Sequence, residues 1–406
     1  MRNTTSLLAA LGIVSTSCIA QDELDLHALF QPSPGTVRVE DGKTLIMSPA
    51  TVQDPDRFVW GASVIQGEDG RYHMFYSVWD AGPDKPPFQD GWLLGSEIAY
   101  AVSHFPDRDF EFQKILLTGR RNEGVPDVWD AQSVHNPHVR NFGDTYYLYF
   151  TGSRDPGPQP AGSPGAALST RDRVQQMQRI GVIVAASIDD LLTGNWTRPD
   201  APLLSPRTRV KATDVVDPSP SGTVAKPDNM IVVNPSVVYR PQDGKYLLFF
   251  KGNLYDPMWR GVHGVAIADS PVGPFETQDT FVFDVPLPDG RLASAEDPYV
   301  WYDRVRDRFY AVLKDFSGSI TGTEPGLALF SSRDGLDWRV ATHPLVSLKQ
   351  LTFGDGTVLP VNNLERPQLL LDEAGRPQVL YVACSVEPVG GKRDGTTFNV
   401  HVRLAH

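Results

Sequence analysis

The chain has 406 residues, 41% of them hydrophobic, enough to bury the core of one large domain or two ordinary ones. Its 37 Lys and Arg against 49 Asp and Glu give a formal net charge of -12 without a basic run, which excludes a general nucleic-acid binder because phosphate contacts need clustered cations. No apolar stretch reaches the roughly 20 residues of a membrane helix, and of the two cysteines one sits at position 18, so Cys384 has no partner for an internal disulfide once the start is removed.

The first segment, MRNTTSLLAALGIVSTSCIA, joins a basic residue, Arg2, to an apolar run over 7–14 and then to small residues before QDELD. It reads as an export signal over 1–20, which places the mature protein in the periplasm or outside the cell. Lipid modification of Cys18 ranks second, because Ser15 stands three residues before it where an aliphatic side chain is wanted. Residues 21–55 form an N-terminal extension, in which GTVRVE or KTLIMSP is expected to complete the last repeat of the fold that follows.

From residue 56 to 406 five segments share one order: a short motif, a strand, a turn and an aromatic-rich strand. They are WGASVIQGEDGRYHMFYS, HNPHVRNFGDTYYLYFTG, VNPSVVYRPQDGKYLLFFKG, EDPYVWYDRVRDRFYAVLKD and ERPQLLLDEAGRPQVLYVAC. Each is followed by a third apolar strand: EIAYAVS, RIGVIVAAS, HGVAIADS, GLALFSS and FNVHV. Turn sequences such as EDGR, NFGD, QDGK and EAGR fit antiparallel hairpins. A fourth, outer strand is expected in DRDFEFQKILL, GNWTRPDAPLL, PFETQDTFVF and DWRVATHPLV, and one helix in STRDRVQQMQRI. The pattern predicts an all-β chain, a five-bladed β-propeller with four-stranded antiparallel blades around a central axis, since radial repetition protects strand edges. A long β-sandwich would use similar strands but gives no reason for a triplet that recurs five times in register.

Aligned on the first strand, the motifs read Trp60-Gly61-Ala62, His135-Asn136-Pro137, Val233-Asn234-Pro235, Glu296-Asp297-Pro298 and Glu365-Arg366-Pro367. Inner strands of a propeller crowd its axis, so these triplets form a ring around one opening. Asn-Pro and Asp-Pro also simply start turns, but that does not explain the two glutamates one position earlier, and half-buried carboxylates are costly unless paired. DAQSVHNP and DNMIVVNP each carry an aspartate six residues before the asparagine, which makes Asp130 and Asp228 equivalent candidates, either catalytic or loop caps. Strand ends facing the same opening contribute Glu97, Arg179, Lys251, His263, Lys314 and Asp315, and nearby loops offer Trp79, Trp92, Tyr255 and Trp259 as aromatic walls suited to sugar rings.

With its acidic-Pro strand starts and RIGVIVAAS-like third strands, this pattern resembles the five-bladed glycoside hydrolases of families 43, 117 and 32 over nearly the whole mature chain. In family 32 successive blades carry Asn-Asp-Pro, Arg-Asp-Pro and Glu-Cys-Pro, so the resemblance implies Asp297 as a stabilising carboxylate and Glu365 as general acid. Here the sequence departs from the pattern: Asn234 stands where a nucleophile or base is expected, and Gly61 where family 43 keeps its base. The base is then Asp228 or Asp130 reaching in, or Asp297 itself, with Glu296 beside it; a histidine acid, His135 or His263, is a third arrangement, as in family 117. Trp60, His135, Asn136, Asn234, Arg179, Lys251, His263, Lys314 and Arg366 are the expected substrate contacts.

The function expected is an exported glycosidase acting on a poly- or oligosaccharide, with the cationic rim favouring an acidic or sulfated one. A glycan-binding propeller without catalysis and a phosphorylase-like propeller are the competing readings. No Cys/His or His-Glu-x-x-His spacing indicates a metal, no cofactor is expected, and a structural calcium on the axis is left open. The partner expected is a carbohydrate, with no nucleic acid and no membrane span.

Overall fold

The computed structural model describes residues 23–40, 43–386 and 396–405, and the expected export signal with Cys18 lies outside them. Five antiparallel sheets follow one another along the chain. The first runs Arg57–Gln66, Tyr72–Asp80, Glu97–Ser103 and Glu111–Leu117, and the second Ser133–Phe142, Thr145–Ser153 and Arg179–Ala185. The third runs Val233–Arg240, Lys245–Leu254, Arg260–Ala268 and Glu276–Thr277, and the fourth Ala295–Asp303, Arg308–Asp315, Gly326–Ser332 and Trp338–Leu348. The fifth runs Asn363–Leu371, Pro377–Val386 and Thr396–Arg403, and is completed by Thr51–Gln53 from the start of the chain. Each innermost strand packs against the innermost strands of the blades on either side, and the fifth returns to the first. This is a closed five-bladed propeller.

Two expectations need correction. GTVRVE and KTLIMSP do not close the ring: Thr36–Glu40 pairs with Lys43–Met47 as a separate hairpin, and the three residues Thr51–Gln53 pair with Thr396–Arg403 instead. In the second blade GNWTRPDAPLL forms no outer strand, only single bridges from Val184 to Thr197 and from Ile180 to Leu204. Pro199 and Pro202 lie between these bridges and have no N–H to offer a ladder.

Alternation of side chains puts one face of every blade against the next. Trp301, Tyr310 and Val312 of the fourth blade bury themselves with Leu369 and Leu380 of the fifth, and Phe249 of the third with Phe309 and Ala311 of the fourth. Burial of this kind contributes roughly 25 cal/mol per Å² of apolar surface and is the main force closing the ring. The expected helix forms at Thr170–Gln176, where the Ser169 side chain accepts from the Asp172 N–H as an N-cap. Two helices were not legible in the sequence, Phe88–Gly95 and Ile188–Thr193. The first follows Pro86-Pro87 and is too short for a periodic signal. Among the described residues no helix is long and apolar enough to cross a membrane.

Candidate active site

The register of all five innermost hairpins slips at the same place: between Trp60 and Ala62, His135 and His138, Val233 and Ser236, Glu296 and Tyr299, and Glu365 and Gln368. At each slip one residue takes a left-handed backbone, Gly61 at φ 43°, Asn136 at 53°, Asn234 at 58°, Asp297 at 59° and Arg366 at 54°. A repeated bulge re-aims one side chain per blade and terminates the ladder. Asn and Asp tolerate this region better than other L-residues, and glycine best of all. Arg366 carries the strain without such help, which is expected only where the surroundings hold it firmly.

The bulged residues interlock. Asn136 Nδ2 donates to Asn234 Oδ1 at 2.7 Å, Asn234 Nδ2 to Asp297 Oδ1 at 2.6 Å, and the Arg366 backbone N–H to Asp297 Oδ2 at 3.0 Å. Gly61 closes the ring by having no side chain: a Cβ there would lie 3.1 Å from Asn136 Oδ1 and 3.2 Å from Arg366 Cγ. Asn136, Asn234, Asp297 and Arg366 form the floor of a cavity of about 280 Å³.

Its walls are chemically divided. Trp60, Trp79, Phe88, Trp92 and His135 make one side. Phe88, from the unforeseen short helix, packs at 5.0 Å from Trp60 and 5.3 Å from Trp79. The other side carries Lys251, Glu296, Lys314 and Glu365, with Trp259 and Phe316 at its edge. Lys251 donates to Glu296 Oε1, and Lys314 donates to Glu365 Oε1 while standing 3.8 Å from Glu296 Oε2. Asn363 Nδ2 also donates to Glu365 Oε1, at 2.6 Å. Both contacts to Glu365 therefore fall on one oxygen. Burial raises the pKa of Glu296, but the ammonium groups of Lys251 and Lys314 outweigh it and hold the carboxyl at about 2. Burial lowers that of Lys314, and Glu365 and Glu296 more than restore it. Asp297 is pushed up to about 7 by burial and then by its neighbour Glu296.

Other candidates are not in this cavity. Asp130 and Asp228 are fully buried in arginine pairs, as anchors of the loops that precede their blades. Asp130 accepts from Arg120 Nε at 2.7 Å and Arg198 Nε at 3.0 Å. Asp228 accepts from Arg207 Nε at 2.9 Å, Nη2 at 3.0 Å and the backbone N–H at 2.7 Å. Both carboxylates are spent on these contacts, so neither reaches in as a base. Asp130→Asn is expected to cost about 3–5 kcal/mol of stability, because it leaves two buried guanidinium groups facing a neutral amide, with activity per folded molecule retained. Chemical denaturation alongside active-site titration checks this, and an inactive variant of normal stability would return Asp130 to the catalytic set.

Arg179 donates to the Gln178 carbonyl at 2.8 Å and does not line the cavity, whereas Gln175 and Gln178 do. Asp315 is buried and accepts from the backbone N–H groups of Ser317, Gly318, Ile320 and Thr321, which fixes its loop. Tyr255 packs in the cluster of Val215 and Met230. His263 is buried opposite Lys251 in the sheet and outside the lining. His135 does line the cavity, with Nδ1 2.8 Å from Ser96 Oγ. Burial holds both imidazoles down to about 3, with Arg366 adding to the effect at His135 and Lys251 at His263. Held in the neutral form, each keeps a single N–H of weak acidity, which counts against the histidine-acid arrangement. Phe88, Gln175, Gln178, Phe316 and Asn363 were not foreseen. Asn363, two residues before Glu365 on the same strand, was the most accessible from sequence, because alternation puts i and i+2 on one face.

His138 and His401 are likewise held near 3 by burial. An unfolded chain takes up protons on these four histidines below about 6.5, and the folded chain refuses them down to about 3, so stability falls as pH drops through that window. Asp297 works the other way: its raised pKa gives stability at low pH that is lost as pH rises through about 7. Four groups outweigh one. The melting temperature is expected to fall from pH 6.5 to 5, with a limiting slope of about 1.4 kcal/mol per pH unit for each histidine. A melting temperature that stays flat over that range would show that the imidazoles are not buried in neutral form.

At the opposite mouth of the axis lies a larger cavity of about 800 Å³, bordered by Arg140, Tyr239, Tyr246, Tyr302, Arg304 and Asp372. It holds none of the ring carboxylates. Among the described residues no group of three or more His, Cys, Asp or Glu is placed to hold a metal ion.

No protein-family model matches the chain, and no curated protein sequence matches it. Solved structures do. A family 117 glycoside hydrolase produced by the marine bacterium Zobellia galactanivorans superposes with a TM-score of 0.53 at 16% identity, over 92% of this chain and 89% of that one. A further glycoside hydrolase gives 0.56 at 9% identity, over 92% and 93%. An α-L-arabinofuranosidase from Lactobacillus brevis gives 0.51 at 11% identity, over 85% and 91%. The likeness covers the whole propeller and establishes the fold that the sequence pattern predicted.

Proposed function

We propose that this propeller is an exported glycoside hydrolase that cleaves a terminal sugar from a poly- or oligosaccharide in the cavity above the bulge ring. The observation that carries the reading is the Glu296–Lys314–Glu365 bridge on one wall, opposite an aromatic wall. Two carboxyl groups flanking one small cavity are the minimum a glycosidase needs. The aromatic faces of Trp60, Trp79 and Trp92 suit the C–H face of a sugar ring. At about 280 Å³ the space suits one or two sugar units, which favours attack at a chain end. Export rests on the leader-like start, and the catalytic unit is the propeller of residues 56–406.

In this account Glu365 is the acid. Lys314 and Asn363 both occupy Oε1, so Oε2 is the oxygen left to carry the proton toward the glycosidic oxygen. Glu296, ionised across the working pH range between two ammonium groups, attacks the anomeric carbon as the bond to the leaving oxygen breaks. Water then displaces Glu296, giving up its proton to Glu365. Both glutamates contact the one Lys314 ammonium, which keeps the two carboxyl groups close together, as retention of configuration requires. Asp297 stays in the floor as the stabilising carboxylate, oriented by Asn234 and the Arg366 backbone.

The test is proton NMR of the first product released from a glycan panel, with and without phosphate. A free sugar with the configuration of the substrate is expected. Inverted sugar would assign Glu296 as a base acting on water, a sugar phosphate would establish phosphorolysis, and binding without release would leave a glycan-binding propeller.

A further inference from the structure

Of the three cations that line the cavity, Lys251 and Lys314 each donate to a glutamate, whereas Arg366 does not. Its side chain is 1% exposed, and none of Nε, Nη1 and Nη2 has a hydrogen-bond partner. The nearest carboxylate oxygen, Asp297 Oδ1, is 3.6 Å from Nη1. Asp297 cannot turn closer without cost, because its two oxygens already accept from Asn234 Nδ2 and from the backbone N–H of Arg366. In the lining of the same cavity, Asn136 Oδ1 is a second buried polar atom without a partner. Asp297 therefore gives this buried guanidinium a long ion pair but no hydrogen bond, and a buried polar group left without a hydrogen bond calls for an explanation, such as an ion or ligand that completes it.

The chain also makes room for this group. Blade one contributes Gly61 at its ring position, and the Arg366 stem lies where a Gly61 side chain would be. The ring has thereby exchanged a side chain of blade one for the Arg366 stem of blade five. A guanidinium presents a rigid planar fork that matches two oxygens of a carboxylate or a sulfate.

We infer that Arg366 is a specificity residue, which receives an anionic substituent of the terminal sugar, a uronate carboxylate or a sulfate ester, at the floor of the cavity. The inference rests on the glycosidase reading and names its substrate class. The guanidinium nitrogens are covered by their neighbours, so the anion displaces one of these to reach them. The aromatic wall then holds the ring while its charged group points down to Arg366 and its glycosidic oxygen up to Glu365.

Calorimetric titration of the mature protein with free uronic acids, sugar sulfates and their neutral parent sugars at fixed ionic strength tests this without needing turnover. Acidic sugars are expected to bind roughly ten-fold tighter than the neutral parents or better, as one charge-assisted bidentate contact gives. Arg366→Gln should erase that difference. Should Arg366→Gln not fold, the near-isosteric Asn136→Asp, which puts a competing carboxylate into the lining of the same cavity, should erase it as well. A preference for uronates alone or for sulfates alone supports the inference and identifies the anion. Equal affinity for neutral and acidic sugars in the wild type, or full preference retained in Asn136→Asp, overturns it. Release of neutral sugars without any such preference would sink this inference and leave the glycosidase reading standing. Tight acidic-sugar binding with no release from any glycoside would do the reverse.

Discussion

Glu365→Gln lowers turnover of natural glycans by roughly 10²–10⁴-fold, the usual contribution of a positioned general acid, while sugar binding persists. Glutamine keeps the acceptor oxygen that Lys314 and Asn363 use at Oε1, and replaces Oε2, the position assigned to the proton, with an amide. The loss depends on the leaving group. A nitrophenolate departs without being protonated, so on nitrophenyl glycosides the first step of the variant, read as the burst of nitrophenolate, should approach wild-type rate, while the second step, in which Glu365 takes the proton of water, stays slow. A deficit of equal size in the first step on both kinds of substrate would mean that Glu365 does not supply the proton.

Glu296→Gln produces a loss of at least similar size that no leaving group relieves, because the carboxylate is needed at the anomeric carbon itself. Stability changes too. Lys251 is 7% exposed and would lose its carboxylate, and Lys314 would keep only Glu365. Breaking a largely buried pair from one side costs about 3–5 kcal/mol at the upper end, so a clear drop in melting temperature should accompany the loss of activity. Glu365→Gln, whose residue shares its lysine with Glu296, should lose less. Glu296→Gln that matched wild-type stability and retained activity on nitrophenyl glycosides would contradict both the ion-pair network and the nucleophile assignment.

The blades were legible because three strands per repeat, with turn residues between them, recur five times, and the same alignment brought Glu296, Asp297, Glu365 and Arg366 into one ring. What the sequence did not reveal was backbone geometry. Nothing in the letters HNP or EDP says that the middle of every motif is a left-handed bulge, yet that bulge turns Asn136, Asn234, Asp297 and Arg366 toward each other. Asp130 and Asp228 misled for a related reason. Their shared spacing is real, but it marks a repeated loop anchor, and the arginines that neutralise them lie ten, 68 and 21 residues away, beyond any local pattern. The aromatic wall was half seen, since Trp60, Trp79 and Trp92 stood out by type, whereas Phe88 arrives on a helix of eight residues that leaves little periodic trace. Partner choice within the charged wall, Lys251 with Glu296 and Lys314 with both glutamates, follows from the pairing of neighbouring blades and could not be read from one strand at a time.

The most direct test of the account is sugar release from a panel of neutral, uronic and sulfated glycans by wild type and Glu365→Gln, side by side, with binding of the same glycans measured for both. Release by the wild type, and binding without release by the variant, is the result the account requires. Equal release by both proteins would contradict it.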